Sequence, residues 1–279
     1  MRIDAHQHFW HYDPVRDSWI NEKMAVLKRD FLPPELIQRM REAGIDRSIA
    51  VQADQSEKET KFLLDVAEDN EAIAGVVGWI DLLDGNIERR LEYFSEYQKL
   101  RGFRHIVQAE PDDRFVMRKD FLNGISCLAR HNFTYDILIY FSQLPAANEL
   151  VRRFPSQKFV IDHLAKPSIK SGEITAWTRA IRSLAESPNV YCKISGLVTE
   201  ADWKRWRQSD FTPYLDTVFE AFGSERLMFG SDWPVCLLAA SYAQVKEIIE
   251  NYTRDLSATE KANVFGLNAA RFYGLAAQR

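Results

Sequence analysis

The chain has 279 residues, 46% of them hydrophobic, which is enough for one large α/β barrel or two ordinary domains with a full core. Its formal net charge is only −4 and its basic residues are scattered, so no nucleic acid and no acidic membrane surface is expected as partner, since both need a clustered basic face. No apolar run is long enough to cross a bilayer. Because Met1-Arg2 runs directly into a strand, no signal peptide is expected. The three cysteines, Cys127, Cys192 and Cys236, form no Cys-x-x-Cys pair and suit a reduced, cytoplasmic compartment.

Eight short segments rich in β-branched or aromatic residues read as strands, at about 2–9, 46–53, 73–81, 101–108, 134–140, 158–164, 190–197 and 227–233. A helix follows the first loop, opened by Pro34 and ended at Ala43-Gly44, with proline at its start and glycine just past its end. Phe62, Leu63, Val66 and Ala67 mark a second helix by their spacing. Further helices are predicted at about 84–98, 119–131, 145–153, 173–186, 210–222, 240–251 and 258–270. Strand and helix alternating eight times predict a single α/β domain over residues 1–279, a (β/α)8 barrel of the TIM type. A doubly wound sheet is disfavoured because no glycine-rich turn follows the first strand. The long stretch at 10–33 carries Trp10, His11, Tyr12, Trp19 and Phe31 and reads as a lid loop over the barrel mouth.

The strand ends carry the chemistry. In Ile3-Asp4-Ala5-His6-Gln7-His8 the alternation of a strand puts His6 and His8 on one face. Strand four sets Arg104, Ile106 and Gln108 on one side of its pleat. Strand six ends in Asp162-His163-Leu164, with Lys166-Pro167 beyond. Strand seven carries Lys193 and leads to Glu200, and strand eight ends in Gly230-Ser231-Asp232-Trp233-Pro234. Histidines and a carboxylate on separate strands suit two tasks. They can ligate a borderline metal such as Zn2+, or Asp232 can act as base on water while imidazoles donate to the attacked carbonyl. Both are hydrolytic, and no P-loop, G-x-G-x-x-G or G-x-S-x-G motif competes. Other polar residues read as structural: His105 facing the helix layer, His131 closing a helix, Ser231 in a turn, and Asp162 paired with a neighbouring helix. Trp177, Trp203 and Trp206 read as packing, and Cys192 and Cys236 as unreactive.

Five segments together, Ile3–His8, Arg101–His105, Asp162–Pro167, Lys193–Leu197 and Phe229–Pro234, resemble the amidohydrolase superfamily almost end to end. More narrowly, they look like its sugar-lactonase and pyrone-dicarboxylate-lactonase branch. The resemblance implies hydrolysis of a sugar-acid lactone, of the L-fucono- or L-rhamnono-lactone class, to the aldonic acid in sugar catabolism. It implies that Asp232 activates water while His6, His8 and His163 polarise the carbonyl or hold a metal. Arg104 matches a substrate-binding arginine and Glu200 an acidic residue near the ring hydroxyls. Gln108 and Lys193 complete the expected substrate-binding set, and Tyr135, Asp136 and Gln143 are placed at the rim.

The sequence departs from binuclear superfamily members, having arginines on strand four and no histidine on strand five. The expectation is therefore that no cofactor is required, the alternative being one Zn2+ on His6, His8, His163 and Asp232. Two other readings stay open: a zinc-dependent amidohydrolase or decarboxylase using the same residues as ligands, and a non-catalytic sugar-acid binding barrel. The expected partner is a small-molecule sugar lactone, and the expected assembly a monomer or homodimer.

Overall fold

In the computed structural model, which describes residues 1–275, the alternating pattern becomes one eight-stranded parallel sheet with its strands in chain order. The strands are β1 (Ile3–Gln7), β2 (Arg47–Val51), β3 (Ile73–Gly78), β4 (Leu100–Ile106), β5 (Thr134–Leu138), β6 (Phe159–Ile161), β7 (Val190–Ile194) and β8 (Leu227–Phe229). Crossovers are made by α1 (Pro33–Glu42), α2 (Glu57–Glu68), α3 (Ile87–Ser95), α4 (Lys119–Leu128), α5 (Leu144–Arg153), α6 (Thr175–Ala185) and, after the short α7 (Leu197–Glu200), α8 (Gln208–Phe222). After β8 come α9 (Tyr242–Tyr252), α10 (Ala258–Ala262) and α11 (Asn268–Phe272). Parallel strands need such crossovers, and helices over the sheet demand strands that are apolar on both faces. This is the (β/α)8 barrel that the sequence predicts. No helix of the described residues is long and apolar enough to cross a membrane.

The last seam is closed by the residues after β8, not by β8 itself. Asp232 N donates to His6 O at 2.9 Å and His8 N donates to Trp233 O at 2.7 Å. Inside the barrel a small apolar cluster, including Ala5, Val51, Val77, Val160 and Met228, rests on Phe272 and Tyr273. Above it lies a layer of charged side chains, and above that a cavity.

Strands six, seven and eight are shorter than predicted, ending at Ile161, Ile194 and Phe229. The polar residues that follow leave the sheet in left-handed turns, with φ of 52° at His163, 65° at Gly196 and 56° at Asp232. The 10–33 segment is a packed wall of the cavity. Trp10 and Phe31 exchange backbone hydrogen bonds of 3.0 and 2.9 Å, and the Phe31 ring packs edge-on against both Trp10 and Trp233.

Behind this wall, Glu59 of α2 is buried and accepts from Ala53 N at 3.1 Å. Burial pushes its carboxyl up to about 7. The folded chain thus holds a proton there that the unfolded chain releases at lower pH, so this group's contribution to stability falls as pH rises from about 4.5 to about 7. Glu59→Gln should gain on the wild type by on the order of 2–3 kcal/mol between pH 5 and pH 8. Urea unfolding of both proteins at the two pH values measures the difference.

Candidate active site

The seam that closes the barrel also assembles the site. β1 contains one extra residue against β2, a bulge between Asp4 and Gln7, and an extra residue reverses which face the following side chains take. Asp4 therefore turns outward, where Oδ2 accepts from Tyr242 OH of α9 at 3.1 Å. Its Oδ1 accepts from His6 N at 3.1 Å and from Ser231 N at 2.8 Å. One carboxyl group thus clamps β1 to the turn that presents Asp232. Burial raises Asp4 to about 6. Gly230 permits the close approach: a Cβ there would lie 2.8 Å from that of His6.

His6, His8, His163 and Asp232 converge. His6 Nε2 and His8 Nε2 lie 3.2 Å apart, and Asp232 Oδ1 lies 3.9, 3.5 and 3.9 Å from the Nε2 atoms of His6, His8 and His163. His8 Nδ1 sits 2.7 Å from Val51 O. A carbonyl only accepts, so Nδ1 of His8 carries a proton and donates to it, and Nε2 is the ring nitrogen that faces the others. Burial, helped by Lys193 and the neighbouring His163, holds His6 well below the ordinary imidazole range against the pull of Asp162. Burial likewise lowers His163 to about 4. Asp232 moves the other way: although burial would raise it, His163, His8 and His6 hold it below the usual carboxylate range. At neutral pH the site is one carboxylate facing neutral His6 and His163 rings.

His163 reaches this cluster from a turn, not a strand. His163, Leu164, Ala165 and Lys166 all have left-handed φ, between 49° and 58°, a conformation costing roughly 1–2 kcal/mol per residue. Tertiary contacts impose it. Trp177 Nε1 donates to Leu164 O at 2.7 Å, and His163 Nδ1 lies 2.9 Å from Ser195 Oγ. Gly196 leaves room for the ring, since a Cβ there would come within 2.7 Å of His163 Nδ1.

Beneath the imidazoles lies the charged layer. Lys193 is fully buried, paired with Asp136 and, at 3.0 Å, with Asp162, and its Nζ is 3.2 Å from His6 Nδ1. Arg104 Nη1 donates to Asp162 at 3.0 Å and lies 3.3 Å from His6 Nε2, while Nη2 donates to Gln52 O. Lys193, His6 and Arg104 hold Asp162 well below the usual range despite its burial. Burial lifts Asp136 to about 6, and Tyr273 OH donates to it at 2.9 Å. Two positions therefore differ from expectation. Lys193 lies under His6, where its ammonium is claimed by two aspartates, and is not among the residues lining the cavity. Asp162 pairs within the barrel and not with a helix.

The cavity above holds about 500 Å3 and is lined by His8, Arg104, Gln108, His163, Glu200 and Asp232 among others, a size typical of small-molecule sites. Gln108 Oε1 is buried without a partner. Trp10, Trp19, Tyr140, Trp203 and Lys166 also line it. Trp203, read from the sequence as packing, is thus a wall residue, and Lys166 carried no periodic signal because its backbone is left-handed. The rim placements do not hold. Asp136 is in the charged layer, Tyr135 packs edge-on against Phe121 and Phe159, and Gln143 donates to Val107 O at 3.1 Å within a turn. His105 stacks on Phe115 in the helix layer. Burial raises the Cys192 and Cys236 thiols, which suits inert side chains.

The residues fit a divalent cation. The ligand atoms of His6, His8 and Asp232 are 3.2, 3.5 and 3.9 Å apart, near the separation of about 3.3 Å between ligands of a tetrahedral zinc with bonds near 2 Å. Lone pairs and a carboxylate face inward, and the second possible group, His6, Asp162 and His163, is compromised because Asp162 is already neutralised by Lys193 and Arg104.

A parallel barrel with paired histidines at the end of β1 and an aspartate beyond β8 defines a class of hydrolytic barrel. The chain belongs to the amidohydrolase family, whose profile matches residues 3–275. It is 44% identical to the L-fucono-1,5-lactonase of Burkholderia multivorans, over 99% of this chain and 96% of that one. It is 36% identical to the L-fucono-1,5-lactonase of Burkholderia ambifaria, over 98% and 95%. A crystal structure of a Burkholderia multivorans amidohydrolase with bound zinc, 44% identical, superposes with a TM-score of 0.94 over 99% of this chain and 100% of that one. That zinc-bound relative overturns the expectation that no cofactor is required. The physical reason is the donor set itself: buried imidazoles around a carboxylate could hold a divalent cation, and hydrogen bonding to a carbonyl does not exhaust what they can do.

Two outcomes follow. Metal-free protein titrated with Zn2+ should take up about one equivalent, and His8→Ala should weaken that binding at least about tenfold, read by competition with a chromogenic chelator. Lys193→Met should destabilise the fold by about 3–5 kcal/mol, because it leaves Asp136 and Asp162 buried without their cation. Chemical denaturation measures it, and unchanged stability would return Lys193 to the cavity wall.

Proposed function

We propose that this chain hydrolyses the ring ester of a sugar-acid lactone of the L-fucono-1,5-lactone kind, with Asp232 as the base. One observation carries the reading: an ionised carboxylate among imidazoles at the end of a 500 Å3 cavity, in a chain 44% identical over 99% of its length to an L-fucono-1,5-lactonase. His6, His8, His163 and Asp232 would hold a divalent cation. Such a cation supplies Lewis acidity, polarising the carbonyl and acidifying water.

The side chains supply the rest. Asp232, kept ionised by its neighbours, takes the proton of water as the water oxygen bonds to the carbonyl carbon. Arg104, pinned by Asp162 and Gln52, presents fixed positive charge to the developing oxyanion, where one positioned donor is worth about 3 kcal/mol. When the bond to the ring oxygen breaks, Asp232 returns the proton to that oxygen and the free hydroxy acid leaves. Gln108, with an unpaired acceptor, and Glu200 bind ring hydroxyls. The aromatic wall of Trp10, Trp19, Tyr140 and Trp203 suits the apolar face of a sugar ring.

An L-rhamnono-lactone substrate has weaker support, a 26% identical L-rhamnono-gamma-lactonase matched over 52% of this chain. Asp232→Asn should fold and lose at least about two orders of magnitude in kcat. A pH-indicator assay over a panel of aldonolactones reads this, and near-normal turnover by the variant would refute the assignment.

A further inference from the structure

Lys166 and Glu200 enter the cavity from different elements, the lysine from the end of the left-handed turn and the glutamate from the end of α7. Among the described residues neither side chain makes a hydrogen bond or closes an ion pair. The Lys166 ammonium stands 5.6 Å from the centre of the Tyr140 ring. Burial lowers the lysine and raises the glutamate, and beyond burial the largest electrostatic influence on each is the other. Two opposite charges that sense each other across a cavity without meeting leave a gap of defined polarity. Such unpaired, half-buried charges are costly until something fills the space between them.

The chemistry of the gap selects its occupant. One side must accept from an ammonium and the other must donate to a carboxylate. A hydroxyl does both, a carboxylate or ether oxygen only accepts, and a methylene does neither. We infer that Lys166 and Glu200 form a hydroxyl-reading subsite that selects polyhydroxylated lactone rings over deoxygenated ones. This rests on the lactone-hydrolase reading and adds Lys166 as a specificity determinant.

The test compares kcat/KM on L-fucono-1,5-lactone and on unsubstituted δ-valerolactone for the wild type, Lys166→Met, Glu200→Gln and the double variant. The preference for the hydroxylated ring should fall at least about tenfold in each variant, carried by KM. The two losses should be less than additive, because one hydroxyl bridges both groups. The double variant leaves no lone charge in the wall, so it remains testable if either single variant fails to fold. An equal loss on both lactones, or an unchanged preference, would overturn the subsite. A wild type that opens neither lactone would sink the hydrolase reading, and this inference with it.

Discussion

The structure depends on the seam between the first strand and the chain beyond the last. Two backbone hydrogen bonds, from Asp232 N to His6 O and from His8 N to Trp233 O, close the barrel at the level where its chemical groups emerge. Closure and assembly of the site are thus one event. Asp4 reinforces it by accepting from backbone amides on both sides, at His6 and Ser231. The bulge in β1 makes this possible, because it sends Asp4 out to Tyr242 while His6 turns inward. Without the extra residue the two side chains would share a face and compete for the same space.

Under the seam, electrostatics do what an apolar core could not. His6 is flanked by Arg104 and Lys193, and both cations are balanced by Asp162 and Asp136. Buried charges are tolerable only in such matched sets. The set carries four formal charges that cancel, while burial, helped by Lys193, holds His6 neutral against the pull of Asp162. A neutral imidazole retains the lone pair that a cation or a proton needs, whereas an imidazolium offers neither. Asp232 stays ionised against that burial, because the imidazoles around it favour its anion.

The turn carrying His163 and Lys166 shows how backbone strain and function coincide. Four consecutive left-handed residues would not persist in an isolated peptide. They persist here because Trp177 binds the turn from outside and Gly196 clears space for the imidazole. The packed aromatic wall at 10–33 plays a comparable part on the opposite side, joining Phe31 to Trp233 and so bracing the residue next to Asp232.

Much of this was legible in the chain, for identifiable reasons. Eight apolar segments separated by amphipathic ones admit few solutions other than a parallel barrel, because strand and helix periods are local properties of sequence. His6, His8, His163 and Asp232 could be recognised because each lies near the end of an apolar strand or just beyond it. Lys193 looked the same by that rule, yet the register of β7 against its neighbours buries it between two aspartates. Lys166 and Trp203 gave no periodic signal, since one lies on left-handed backbone and the other in an irregular loop. Whether the imidazoles could take a metal was also beyond strand spacing, because it depends on the distances between side chains from three separate strand ends. Sequence alone determined the architecture and the chemical inventory, through short-range patterns. Tertiary structure decided which members of that inventory face one another, which are neutralised and which stay exposed to a ligand, because those outcomes arise from contacts between residues far apart in the chain, 57 positions for Lys193 and Asp136 and 227 for Asp4 and Ser231.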